Sequence, residues 1–118
     1  MSHTPWLPPI EIEALRTPLA ERPLSATEAE RTARMFHALG NPIRLRLLSA
    51  IASDESGESC VCAVSDVGVS LPTVSHHLKK LKEVGLLSSE RRGTWVYYRL
   101  EPAVLAAMGW LLVRAAST

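Results

Sequence analysis

Both cysteines of this 118-residue chain fall in one short run, "ESCVCAVSD" at residues 58 to 66, as Cys60 and Cys62. Two thiols one residue apart can hold a soft metal ion, act as a redox pair, or serve as two small apolar residues in a core. A disulfide between them is disfavoured, because residues two apart lie outside the usual Cα separation for a bridge. Unbridged thiols suit a reducing compartment, so the expected location is cytoplasmic. The start, "MSHTPWLPPIEIEALRTPLAERPLS", has no basic segment followed by an apolar run. Nor does any uninterrupted apolar stretch approach the roughly eighteen residues of a membrane span, so no membrane partner is expected.

The second set of chemistry-bearing residues is basic. Residues 1 to 70 carry 6 Lys+Arg against 9 Asp+Glu, whereas residues 71 to 118 carry 7 against 3. This split points the second half of the chain at a polyanion. Hydrolase or transferase chemistry would need a nucleophile with its base, paired carboxylates or a glycine-rich phosphate loop. None is visible, and the chain is read as a non-enzyme.

These groups need a scaffold, and its elements are legible in outline. A chain of this length supports one domain with its own core. Residues 1–24 hold five of the eight prolines and read as an arm, with one short helix around Glu11 to Arg16. Residues 25–118 form the domain. Ser25 and Glu28 have capping-box spacing, Ala29, Ala33, Phe36 and Leu39 recur at helical intervals, and Gly40 ends that helix. Asn41 and Pro42 start a second helix with Ile43, Leu47, Leu48 and Ile51 as its apolar stripe. Ser59 is expected to cap a short third helix through "CVCAVSD", with Val61 and Val64 inward and Gly68 as breaker.

Ser70 and Pro72 then open "SLPTVSHHLKKLKEVG", in which Val74, Leu78 and Leu81 share one face and Gly85 is the terminator. At about 100° per residue, His76, Lys79 and Lys80 lie opposite that stripe, with Thr73 to one side. His77 sits about 60° off the stripe's centre, which predicts a half-buried histidine hydrogen-bonded within the fold. From Leu86 to Leu100 the period changes to two, and Gly93 with Thr94 can turn the chain between two strands. Pro102 starts a last helix, "PAVLAAMGWLLVRAA", apolar on nearly every face, which must bury itself against something large.

A short helix, a turn and a helix with a basic outer face make a helix-turn-helix, and a hairpin tipped by Arg91, Arg92 and Gly93 makes it winged. The fold class is therefore mainly α with a β-hairpin wing. At this point the runs "FHALGNPIRLRLLSAI" and "CVCAVSDVGVSLPTVSHHLKKLKEVGLLSSERRGTWVYYRL" resemble the ArsR/SmtB family of small dimeric metal-responsive repressors over roughly residues 28 to 102. The resemblance implies a homodimer built from the N- and C-terminal helices on a palindromic double-stranded DNA operator. By position it implies that Ser70, Thr73, Ser75 and His76 approach bases or flanking phosphates. Lys79 and Lys80 would then meet the backbone, and Arg91 and Arg92 the neighbouring groove. Short hydroxyl and imidazole groups at base edges and long cations at phosphates suit those roles.

In the arsenic- and cadmium-sensing branches of the resembled family, "CVC" opens the first helix of the helix-turn-helix, where Cys60 and Cys62 fall. On a regular helix the two would point about 200° apart, so gripping one atom is expected to unwind the first turn and shift the population away from the DNA-competent form. Inorganic arsenite favours three thiolates, and the third thiol of one branch falls here on Ser65. Other branches take thiols from the arm, or carboxylates and histidines from the last helix, and this chain has neither. Three explanations stay open: an exogenous third ligand on As(III) or Sb(III), a two-valent organoarsenical such as methylarsenite, or lost sensing. A thiol-redox-responsive regulator is the remaining alternative, and no resident cofactor is required in any of them.

Overall fold

The computed structural model describes residues 23–63 and 66–117. The helix expected around Glu11 to Arg16, and residues Val64 and Ser65, lie outside the described residues. Helix α1 spans Ala26–Leu39 and begins as its sequence dictates. Ser25 Oγ accepts from the Glu28 amide at 3.2 Å, and Glu28 Oε1 accepts from the Ser25 amide at 2.8 Å. Its buried face matches the expected one only in part: Phe36 and Leu39 pack partly against the core. Thr32, Met35 and Ala38 point inward, while Ala29 and Ala33 are exposed. The long Met35 side chain offers the core far more apolar surface than either alanine, so the helix settles with that flank inward.

Helix α2 spans Pro42–Ala52, and Asn41 Oδ1 caps it by accepting from the Ile43 and Arg44 amides at 2.9 and 3.1 Å. Leu47 and Ile51 are fully buried on the expected stripe. The next segment corrects the sequence reading. Ser59 does not cap an α-helix: Glu58–Cys60 is a strand, β1, and Val61–Ala63 forms a single 3-10 turn. Strand β1 pairs antiparallel with a later strand, placing Glu58 opposite Arg99, Ser59 opposite Tyr98 and Cys60 opposite Tyr97. The backbone groups of residues 58–60 thereby gain ladder partners, and an open sheet edge is covered.

Helix α3 spans Leu71–Glu83, with Ser70 as its cap and Val74, Leu78 and Leu81 wholly buried, as expected. Each of these contributes on the order of 1.5–3 kcal/mol by leaving water. The helix stops in a Schellman motif: the Leu86 amide donates to the Leu81 carbonyl at 3.0 Å and the Gly85 amide to Lys82 at 2.9 Å. Gly85 adopts φ +90° there, a backbone conformation that side chains with a Cβ resist.

Strands β2 (Leu87–Arg92) and β3 (Trp95–Leu100) form the expected hairpin around Gly93 and Thr94, and the sheet order is β1-β3-β2. Helix α4 spans Pro102–Ala116 and buries Val104, Ala107 and Met108. Its start is tied to the end of α3, since the Glu101 amide donates to the Leu86 carbonyl at 3.0 Å. One core cluster joins all these elements, from Met35 through Leu47, Ile51, Leu78, Leu81 and Leu87 to Met108. Among the described residues, no helix is long and apolar enough to cross a membrane.

Candidate nucleic-acid interface and thiol pair

Helix α3 exposes His76, Lys79 and Lys80 to solvent, with Thr73 and Ser75 half-buried beside them. Ser70 Oγ lies 2.9 Å from Thr73 Oγ1, so these two hydroxyls are hydrogen-bonded to each other at the start of the helix. Lys80 Nζ is 3.6 Å from the Glu83 carboxylate, an exposed contact of about 0–1 kcal/mol that a phosphate can displace. The six residues singled out from the sequence therefore run from the Ser70 cap to the third turn of α3, on the side away from its buried stripe.

What aims this surface was not read from the sequence. Arg44 of α2 donates through Nε to His77 Nδ1 at 3.0 Å and through Nη1 to the Ala38 carbonyl at 3.3 Å. One guanidinium thus joins the end of α1, the start of α2 and the middle of α3. Arg46 reaches the Val67 carbonyl at 3.4 Å and holds the loop that enters α3. The signal available was weak: two arginines at i and i+2 in "PIRLRL" read as an ordinary helix surface.

His77 is the half-buried, hydrogen-bonded histidine that its position predicts. Burial, followed by the charges of Arg44 and His76, pushes its pKa below the ordinary value of 6.5. As acceptor from Arg44 it must be neutral at Nδ1. A folded-state pKa below the unfolded one means that the contact stabilises the fold above pH 6.5, and that this stability is lost as pH falls through the lower folded value. Between pH 7.5 and 5, the wild-type melting temperature is therefore expected to fall further than that of His77→Gln. The glutamine can accept from Arg44 but does not titrate; equal losses in differential scanning fluorimetry would remove His77 from the brace.

The wing arginines differ from one another. Arg91 is exposed at the hairpin tip. Arg92 forks onto Glu58, with Nη1 at 2.7 Å from Oε2 and Nη2 at 3.0 Å from Oε1, and also meets Glu90 at 3.0 Å. Its guanidinium carbon lies 4.6 Å from the centre of the Tyr97 ring. Arg99 Nη2 donates to the same Glu58 carboxylate at 2.8 Å. Hydrogen bonds from Arg92 first and Arg99 second lower the Glu58 pKa to about 2. Arg92 is thus a sheet-bound cation and Arg91 the solvent-facing one. Glu58 gave no signal in the sequence beyond its charge.

Cys60 is buried and Cys62 exposed, and neither is in a disulfide. The Cys62 amide donates to Cys60 Sγ at 3.3 Å. Because Cys60 ends β1 and Cys62 lies on the 3-10 turn, there is no α-helical first turn to unwind, and that expected mechanism is corrected. A ligand shared by both sulfurs would instead span a buried and an exposed cysteine at the junction of strand and turn. Among the described residues, no group of three or more His, Cys, Asp and Glu side chains is placed to hold a metal ion.

Comparison with known proteins gives this geometry a family. Residues 41–89 match the model of the bacterial regulatory protein, arsR family. The chain is 42% identical over 71 residues to an arsenic resistance transcriptional regulator of Pseudomonas putida, a match spanning 59% of this chain and 54% of that relative. Other relatives are named as cadmium and mercury resistance regulators. Among solved structures, a homodimeric winged helix-turn-helix DNA-binding domain from Mycobacterium bovis, described as a possible ArsR-family regulator, is 32% identical with a TM-score of 0.62; the match covers 83% of this chain and 90% of that one. The AntR antimony-specific transcriptional repressor is 34% identical with a TM-score of 0.61, covering 82% and 90%. The basic helix, its wing and this likeness together lead to one conclusion: the chain belongs to the arsR family of DNA-binding transcriptional regulators.

Proposed function

We propose that the protein is a homodimeric repressor that sits on a palindromic operator and leaves it when a thiophilic inducer occupies Cys60 and Cys62. The inducer class is As(III) or Sb(III), or an organoarsenical such as methylarsenite. The observation that carries this reading is the position of the pair: Cys60 ends the strand that completes the wing sheet, so a ligand there pulls on a DNA-facing element. The arsenic resistance named for one relative and the antimony specificity named for another support the choice of inducer. Two thiols without a third favour a ligand with two open valences, which arsenic carrying one carbon provides. Ser70, Thr73, Ser75 and His76 read the groove, Lys79, Lys80 and Arg91 hold phosphates, and Arg92 shapes the wing. No resident cofactor is needed, and a DNA-bound regulator of this kind works in the cytoplasm.

Dimerisation rests on α4. Ala106, Trp110 and Val113 recur at helical spacing and are all exposed, Trp110 by 44% and Val113 by 58%. Such an apolar stripe, on a helix that buries only Val104, Ala107 and Met108, fits a second copy of the chain. Leu105 and Leu111 of the same helix pack partly on the protomer's own core. Replacing Trp110 and Val113 together by Glu is expected to raise the dimer dissociation constant at least a hundredfold in sedimentation; an unchanged dimer mass would contradict the assignment.

The function is tested by gel-shift release from the DNA upstream of the protein's own gene. Arsenite, methylarsenite, antimonite, cadmium, zinc and peroxide are compared in parallel. Release by the arsenic and antimony compounds at the lowest doses supports the reading; release by peroxide alone would replace it with a thiol-redox regulator.

A further inference from the structure

Three residues of β1 link the thiol pair to the wing, and the link has a specific chemistry. Cys60 lies opposite Tyr97 on β3, and Tyr97 lies opposite Glu90 on β2. The Arg92 guanidinium rests 4.6 Å above the Tyr97 ring and forks onto Glu58, two residues before Cys60. Arg99, paired with Glu58 across the ladder, donates to the same carboxylate at 2.8 Å. One carboxylate therefore ties β1 to cations on both strands of the hairpin.

We propose that Glu58 is the positioning residue that carries occupancy of Cys60 and Cys62 to the wing, with Arg92 and Arg99 as its receivers. The proposal rests on the function inferred above and names the route by which that site acts. A strand of three residues has no slack. Drawing Cys60 toward Cys62 shifts the whole of β1, and a two-bond fork tolerates little displacement because both of its N–H groups must stay in the carboxylate plane. Once the fork opens, the hairpin loses its third strand and its charge brace together. A two-stranded hairpin is at best marginally stable alone, so the wing loses its fixed shape. The clamp holds Arg92 against the sheet, over the Tyr97 ring, so its work in the repressing state is to set the wing's geometry.

The alternative is that Glu58 merely adds stability, and the two differ in one quantity: the coupling between inducer and DNA. That coupling is the ratio of operator affinities without and with methylarsenite. The experiment measures it by fluorescence anisotropy for the full-length dimeric wild type, Glu58→Gln, Arg92→Gln and the double variant, with methylarsenite binding followed separately by intact mass. Either single substitution is expected to lower uninduced operator affinity about three- to tenfold and to cut the coupling ratio at least fivefold. The double variant should lose no more coupling than either single one. Methylarsenite should bind the single variants without DNA at least as tightly as it binds the wild type, because opening the fork no longer opposes it.

A wild-type coupling ratio in Glu58→Gln, with methylarsenite bound, overturns this inference and leaves the inducer site standing. Additive losses in the double variant overturn it as well, because the residues would then act separately. Failure of methylarsenite to bind the wild-type protein overturns both the site and the route built on it.

Discussion

Replacing Lys79 and Lys80 together by alanine is expected to weaken operator binding by about a thousandfold at 0.15 M salt. Both ammonium groups are exposed on the side of α3 opposite its fully buried Val74, Leu78 and Leu81, so their loss leaves the core intact. A dimer loses four phosphate contacts at once. Each neutralised phosphate adds about 0.9 to the slope of log affinity against log salt, so the slope should flatten by three to four units. The ratio of operator to random-sequence affinity should barely change, because phosphates carry no sequence. His76→Ala should do the reverse: a discrimination loss equivalent to about 1–3 kcal/mol per half-site with an unchanged salt slope. Matching losses of specificity from both variants would mean that α3 is not the helix in the groove.

The second large effect concerns the thiols. Cys60→Ser or Cys62→Ser is expected to abolish release by methylarsenite, raising the required dose at least a hundredfold, while operator affinity without inducer stays within about threefold, since neither thiol lies on α3. The two variants should differ in stability. Cys60 is buried among core residues, so a hydroxyl there costs about 1–3 kcal/mol, whereas exposed Cys62 tolerates serine at little cost. Ser65→Cys should strengthen the response to arsenite and antimonite more than that to methylarsenite, because only the inorganic ions have a third valence open. If both Cys→Ser variants release DNA at the wild-type dose, the inducer acts elsewhere; an unchanged ligand ranking in Ser65→Cys would remove the missing-third-thiol argument.

Much of this architecture was legible because its signals are local. The Ser25, Asn41 and Ser70 caps each act within three residues, and all three hydrogen-bond as their types predict. Val74, Leu78 and Leu81 repeat at helical spacing and are fully buried, and the turn at Gly93 and Thr94 announced the hairpin. What escaped depends on partners distant in sequence. Strand β1 is three residues long and lacks any β-branched side chain, and its partner strand lies about forty positions further on. Nothing within "ESC" distinguishes it from the start of a capped helix. The same distance hid the Arg44–His77 contact and the Glu58 clamp. On α1, alanines on one flank and Met35 on the other offered two apolar faces, and only packing against the rest of the core chose between them.

Whether one inducer bridging two thiols removes the protein from DNA is decided by following occupancy and release in a single titration. Methylarsenite is added to the operator complex, and at each dose intact mass gives the bound arsenic, alkylation gives the remaining free thiols, and anisotropy gives the DNA still held. The account predicts one arsenic per protomer, both Cys60 and Cys62 protected from alkylation, and a release midpoint that tracks occupancy. Full occupancy of both thiols with the operator still bound, or release while both thiols remain open to alkylation, would contradict it.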